Sequence, residues 1–115
     1  MLVVEVGGEP VGQVHWFPAY YGPQSASKAL RLGVALVPEA RGRGYGSAAQ
    51  RLLAEYLFST TTVNRLEAGT DLENIAEQRA LERAGFEREG VARQSQYRDG
   101  LYRDMVIFSR LRDDK

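Results

Sequence analysis

Val37-Pro38-Glu39-Ala40-Arg41-Gly42-Arg43-Gly44-Tyr45-Gly46-Ser47 is the stretch on which the reading of this chain turns. An apolar run over residues 32–37 leads into it, and a helical pattern starts at about Gly46. Three glycines and two arginines fall between Arg41 and Gly46. Glycine permits positive φ and close approach of backbone to a ligand. A helix start carries N–H groups without intrahelical partners and a partial positive charge. Strand, glycine loop and helix start together form an anion site suited to phosphate or pyrophosphate.

Outward from this loop the chain divides into short elements. Residues 2–6 and 11–17 read as a hairpin across the turn Gly7-Gly8-Glu9-Pro10. Residues 18–28, with Pro, Gly, Ser and two tyrosines, read as a loop, and residues 29–37 as a central strand. A helix is predicted over 46–59, with Ala49, Leu52, Leu53, Tyr56 and Leu57 on its apolar stripe. A short strand at 65–70 precedes a second helix at 74–84, which contributes Ile75, Ala76, Leu81 and Ala84 to the core and ends at Gly85. A strand over 86–94 follows. Asp99-Gly100 then marks a tight hairpin joining 96–98 to 101–111, and 112–115 reads as a frayed charged tail. The order β-β-β-α-β-α-β-β holds one βαβ unit, which requires a parallel pair with a right-handed crossover. The expected fold is α/β (α+β): a mixed, mostly antiparallel central sheet with helices on its faces, in a single domain over 1–115.

The chain has 115 residues, 43% hydrophobic and 26% charged, with a formal net charge of zero. These values fit one globular domain and supply no global pull toward nucleic acid or an anionic membrane. With no cysteine and one histidine, neither a disulfide nor a transition-metal site is expected, and a reducing cytoplasm fits. No apolar run is long enough to span a bilayer, and the first residues lack a basic segment followed by an apolar one, so neither a membrane span nor a signal peptide is expected.

The loop admits several readings. A glycine-rich turn without a ligand is one. A triphosphate-binding loop needs a lysine before Ser47 and has none. A dinucleotide fingerprint is matched by Gly44-Tyr45-Gly46-Ser47-Ala48-Ala49, with Glu67 near the place of a ribose-binding acid. That architecture needs successive βαβ units, however, and a tighter turn than residues 38–43 leave. Finally, Arg41-Gly42-Arg43-Gly44-Tyr45-Gly46 resembles motif A of the GNAT superfamily of N-acetyltransferases, whose signature is Q/R-x-x-G-x-G/A. Residues 74–86, NIAEQRALERAGF, resemble the family's segment in which an Asn opens a helix that ends in Gly-Phe. Arg88-Glu89-Gly90-Val91 and Tyr97-Arg98-Asp99-Gly100 resemble the RimJ/RimL-type branch, which acetylates protein N-termini and small amines.

The resemblance implies an acyl-CoA N-acyltransferase fold that moves an acetyl group from acetyl-CoA to a primary amine by direct attack. It implies that the backbone of Gly42, Arg43, Gly44, Tyr45, Gly46 and Ser47 holds the pyrophosphate, with Arg41 and Arg43 adding charge. Leu36 and Val37 would pair with the pantetheine arm where their strand splays from its neighbour, and Asn74 would reach the same arm while also serving as a helix N-cap. Glu67 is the candidate catalytic base. The tyrosine acid of some relatives falls at Leu81, and Arg31 stands where a carboxylate often precedes the site. His15 reads as a half-buried structural residue or a base, Tyr20 and Tyr21 as acceptor lining or packing, and Tyr97 and Tyr102 as alternative acids.

Family members usually begin with a further strand and one or two helices, which this chain lacks before its first hairpin. A shortened domain, a fragment of a longer chain, or a gap filled by another subunit would each account for this. An uncovered sheet edge leads to the expectation of a homodimer with the exposed sheet or the C-terminal hairpin at the interface. An acetyl-CoA-binding regulatory module is the alternative to an enzyme.

Overall fold

The computed structural model describes residues 1–114. β1 (Leu2–Val6) and β2 (Glu9–Tyr20) are joined by Gly7 and Gly8 at φ 59° and 85°. Two successive positive-φ residues give a turn whose twist matches that of a hairpin. Asp99 and Gly100, at φ 55° and 79°, do the same between β5 (Glu87–Arg98) and β6 (Leu101–Leu111). Between these hairpins lie β3 (Lys28–Leu36), α1 (Tyr45–Thr60), β4 (Arg65–Asp71) and α2 (Ile75–Arg83).

The six strands form one sheet in the order β1-β2-β3-β4-β6-β5, antiparallel except for β3 against β4. Strand alternation sorts the residues between two faces. Val14, Leu30, Leu32, Leu66, Ala68, Val106 and Phe108 pack with Leu53 and Leu57 of α1 and with Leu81 of α2 in a single core. Burying each of the larger side chains contributes roughly 1.5–3 kcal/mol. Arg31, Gly33, Glu67, Gly69, Ile107 and Ser109 alternate with these and face the other way. Both helices thus lie on one face of the sheet, and no helix of the described residues covers the other.

The ends of α2 follow from local sequence. Asn74 caps its start, accepting the Glu77 N–H at 3.2 Å. At its end Gly85 takes φ 93°, the Gly85 N–H donates to Glu82 O and the Phe86 N–H to Leu81 O, each at 3.0 Å. This is a Schellman closure, with Phe86 packed in the same core as Leu81.

Several expectations need correction. β2 runs on to Tyr20 through Pro18, because β1 pairs only with residues 9–14 and leaves an open edge where a proline is tolerated. β5 continues through Ala92–Gln96 as one strand with an irregularity, where Gln94 takes φ 50° and its N–H donates to Asp104 Oδ1 at 2.8 Å. Leu52, Tyr56, Ile75 and Ala76 are exposed rather than core. The segment after β6 is tied down at Arg112, whose guanidinium donates to Phe58 O and Thr61 O at 2.7 Å and to Val63 O at 2.8 Å. Lys115 lies outside the described residues.

Candidate active site

β3 and β4 pair only at Leu30↔Leu66 and Arg31↔Glu67. Beyond that point β3 stays paired with β2 as far as Leu36, and β4 with β6 as far as Asp71. Their facing edges part into a fork with backbone groups left open. The fork leads into a cleft of about 490 Å³. One wall is Val34, Ala35 and Leu36 with the loop residues Arg41, Gly42, Gly44, Gly46 and Ser47. The other is the α2 face made by Asn74, Ala76, Glu77, Ala80 and Arg83.

The loop begins with a single 3₁₀ turn, Pro38–Ala40, pinned by buried Ala40. Gly42 has φ 77°, and Gly44, at φ 81° and ψ 0°, caps α1 in the left-handed conformation without a side-chain partner. A Cβ at either glycine would meet nothing within 4 Å, so backbone conformation rather than space calls for glycine there. The first helical bond is Ala48 N–H to Gly44 O at 3.1 Å, and the N–H groups of Gly42 to Ser47 find no acceptor among the described residues. Six consecutive amides thus lack an internal partner at the positive end of α1, and four of them, on Gly42, Gly44, Gly46 and Ser47, belong to residues that line the cleft.

Of the residues proposed from sequence for the cofactor, Leu36, Arg41, Gly42, Gly44, Gly46, Ser47 and Asn74 share this cleft. Arg43 and Tyr45 belong to the loop but do not line it, and the Val37 N–H is already donated to Val11 O at 2.8 Å. Glu77, Ala80 and Arg83 were missed, although their three-residue spacing from Asn74 gives one helix face. Burial pushes the Glu77 carboxyl pKa up, with the Gln50 amide pulling the other way.

Glu67 lies on the helix-free face at the base of the fork and is only 2% exposed. Its Oε1 accepts from Arg31 Nε at 2.8 Å, and its Oε2 accepts from Arg65 Nε at 2.7 Å and from the Tyr21 phenol. Burial alone would raise its pKa, but the hydrogen bonds from Arg31, Tyr21 and Arg65 outweigh that and lower it. Arg65 extends the network, its two Nη atoms donating to Glu89 at 2.6 Å each, and Glu89 also accepts from Ser109 Oγ at 2.6 Å. The hydrogen bonds from Arg65 and then Ser109 lower the Glu89 pKa to about 2. His15 is exposed rather than half-buried, lying across Gly33 in the β2–β3 pair, where a Cβ would stand 2.3 Å from its ring. Tyr97 and Tyr102 stack edge-on, 5.1 Å apart, beside the β5–β6 turn.

A sheet split between two parallel strands, with open amides where the following helix starts, has the shape and donors that an extended anionic ligand would need. The chain belongs to the GNAT family: the sequence profile of the acetyltransferase (GNAT) domain matches residues 1–87. Ribosomal-protein-alanine N-acetyltransferase from Brucella melitensis is a similar solved structure (26% identity, TM-score 0.81), with 95% of this chain and 66% of that one covered. RimJ from Mycobacterium smegmatis, in complex with CoA-disulfide, is similar at 26% identity and TM-score 0.83, over 95% of this chain and 51% of that one. A chimera of the spermidine N-acetyltransferase SpeG from Vibrio cholerae and hSSAT shares the fold (TM-score 0.82, 20% identity, 96% of this chain and 64% of that one). The chain thus spans about half to two-thirds of the length of these proteins. A comparison with curated proteins found no match.

Proposed function

We propose that residues 1–115 act as one GNAT-like unit that transfers an acetyl group from acetyl-CoA to a primary amine. The observation that carries this reading is the meeting of the open amides of Gly42, Gly44, Gly46 and Ser47 with the unpaired β3 edge at Val34–Leu36 in one cleft. The amides suit a pyrophosphate. The open strand edge suits an extended chain with alternating amide groups, which would add to β3 as a strand does. Arg41 and Arg83 supply charge on opposite walls, and the Asn74 amide nitrogen has no partner among the described residues while its oxygen caps α2.

Bound acetyl-CoA would supply an acetyl group already activated as a thioester. The protein's part is to place that group at the fork, exclude alternative orientations and admit a neutral amine. With acetyl-CoA bound, attack of the amine would form the C–N bond as the C–S bond breaks, the thiolate leaving and the amine proton passing to solvent. Glu67 fits a positioning role better than that of base, since both of its oxygens are engaged and its pKa is lowered. A weak base bound to two guanidinium groups gains little by taking a proton.

Titration calorimetry with acetyl-CoA tests the shared core of this reading. Binding is expected for the native chain and its loss for Gly44→Asp, which sets a carboxylate beside the phosphate site. The same substitution costs the fold only about 1–2 kcal/mol of left-handed backbone strain. No heat from the native chain would overturn the reading. Release of free thiol with amine acceptors then separates an enzyme from an acetyl-CoA-binding regulatory module.

We further propose a homodimer, supported by an apolar groove of about 280 Å³ where Leu2, Val3 and Val4 of edge strand β1 meet Leu52 and Tyr56 of α1.

A further inference from the structure

Arg31 is the last β3 residue paired with β4, and it stands on the helix-free face at the root of the fork. Its side chain is 52% exposed, and its Nε donates to Glu67 at 2.8 Å. The Tyr21 phenol flanks the guanidinium. Otherwise its Nη edge meets no acceptor among the described residues. The neighbouring carboxylates are occupied: Glu67 by Arg31, Arg65 and Tyr21, and Glu89 by both Nη atoms of Arg65 and by Ser109. What the mouth of the fork presents to a solute is therefore a guanidinium edge, which donates and cannot accept.

A ligand that starts at the amides of α1 and follows the β3 edge arrives at this point from the helix side. Among the described residues no helix covers the other face of the sheet, and a reaction partner reaching the fork from there passes Arg31. We infer, resting on the acetyltransferase reading above, that the acceptor is an amine carrying a carboxylate close to its amino group, and that Arg31 binds this carboxylate. The planar guanidinium edge matches a carboxylate in two-pronged geometry. A polyamine brings only cations, which the same group repels, and no oxygen for it to bind. Two sources share the required chemistry: a free α-amino acid, and a peptide whose first residue is Asp or Glu.

Thiol release at saturating acetyl-CoA tests this with matched acceptors: L-alanine against L-alaninamide, Asp-Ala-Ala-amide against Asn-Ala-Ala-amide, and spermidine. The carboxylate member of at least one pair is expected to be preferred by roughly 10- to 100-fold in kcat/KM, the range of one charge-assisted contact. Which pair shows the preference identifies the source. Arg31→Ala should erase it. Arg31→Lys, which keeps the charge beside Glu67 without the planar edge, should retain the fold in a thermal melt and cut the preference at least about threefold. Equal rates within both pairs, faster turnover of spermidine, or a preference that survives in both variants would overturn the inference. So would a chain that binds acetyl-CoA yet neither turns over any of these acceptors nor binds them in calorimetry. Failure to bind acetyl-CoA would instead remove the cofactor reading underneath, and this inference with it.

Discussion

Glu67 shows how much a single side chain can be committed by its neighbours. Three donors hold its two oxygens on the face of the sheet that no helix of the described residues covers. Removing the charge while keeping the shape, as in Glu67→Gln, leaves Arg31 and Arg65 without their shared partner. Because both guanidinium groups keep some solvent contact, a loss of about 1–3 kcal/mol in denaturant unfolding is expected. The pH–rate profile of thiol release should keep its shape in this variant. Disappearance of an ionisation from its acidic limb would restore Glu67 as the base. Glu89 provides a separate test, since its pKa falls from an ordinary 4.5 to about 2 in the fold. A folded pKa below the unfolded one stabilises above the unfolded value, and that contribution is lost as pH falls through the folded one. Acid should therefore destabilise the native chain between about pH 4.5 and 2. Glu89→Gln should flatten that slope in melts across the same range while lowering stability at neutral pH. Equal slopes in the two proteins would refute the assignment.

At the level of elements, the chain secures its helix ends by different means. α2 is closed by its own sequence, Asn74 before it and Gly85-Phe86 after it. α1 starts on Gly44 with no side-chain cap, which keeps its amides open for a ligand. Its far end is closed from a distance by Arg112, which gathers carbonyls of Phe58, Thr61 and Val63. A cation at a helix C-terminus is favourable in itself, and these hydrogen bonds add to it. Arg112→Ala is expected to cost about 1–2 kcal/mol, a drop of several degrees in melting temperature for a chain of this size. Hydrogen exchange should quicken in the last turn of α1 while α2 is unchanged. Unaltered protection there would mean that the contacts contribute nothing.

Across the whole molecule the uneven dressing of the sheet matters most. Both helices and the core lie on one side, and β1 and β5 are its outer strands. Leu2, Val3, Leu52 and Tyr56 are all exposed around one groove at the β1 edge. An open strand beside apolar side chains favours association. Light scattering at micromolar concentration is expected to give a dimer, and Leu52→Glu a folded monomer. A monomeric native chain, or a dimer indifferent to that substitution, would count against the groove as the interface.

The sequence by itself determined the elements and the loop. The glycines of the loop, Gly85 at the end of α2, the largely apolar run of β3 and the single βαβ unit are legible along the chain. They appear in a chain read in order, and the glycine spacing with Asn74 was enough to propose residues that share the cleft. The sequence left Glu67 as an isolated acid and Arg31 as a departure from a pattern. Only the tertiary structure joined them, because the register of two parallel strands is fixed by the crossover helix and the packing beneath it rather than by nearby residues. The same packing sent Leu52 and Tyr56 outward, drew Tyr21 and Arg65 onto Glu67 and parted β3 from β4 after one shared step. Contacts between residues far apart in the chain depend on geometry that no local pattern records, and here that geometry decided which charged groups remain free at the fork.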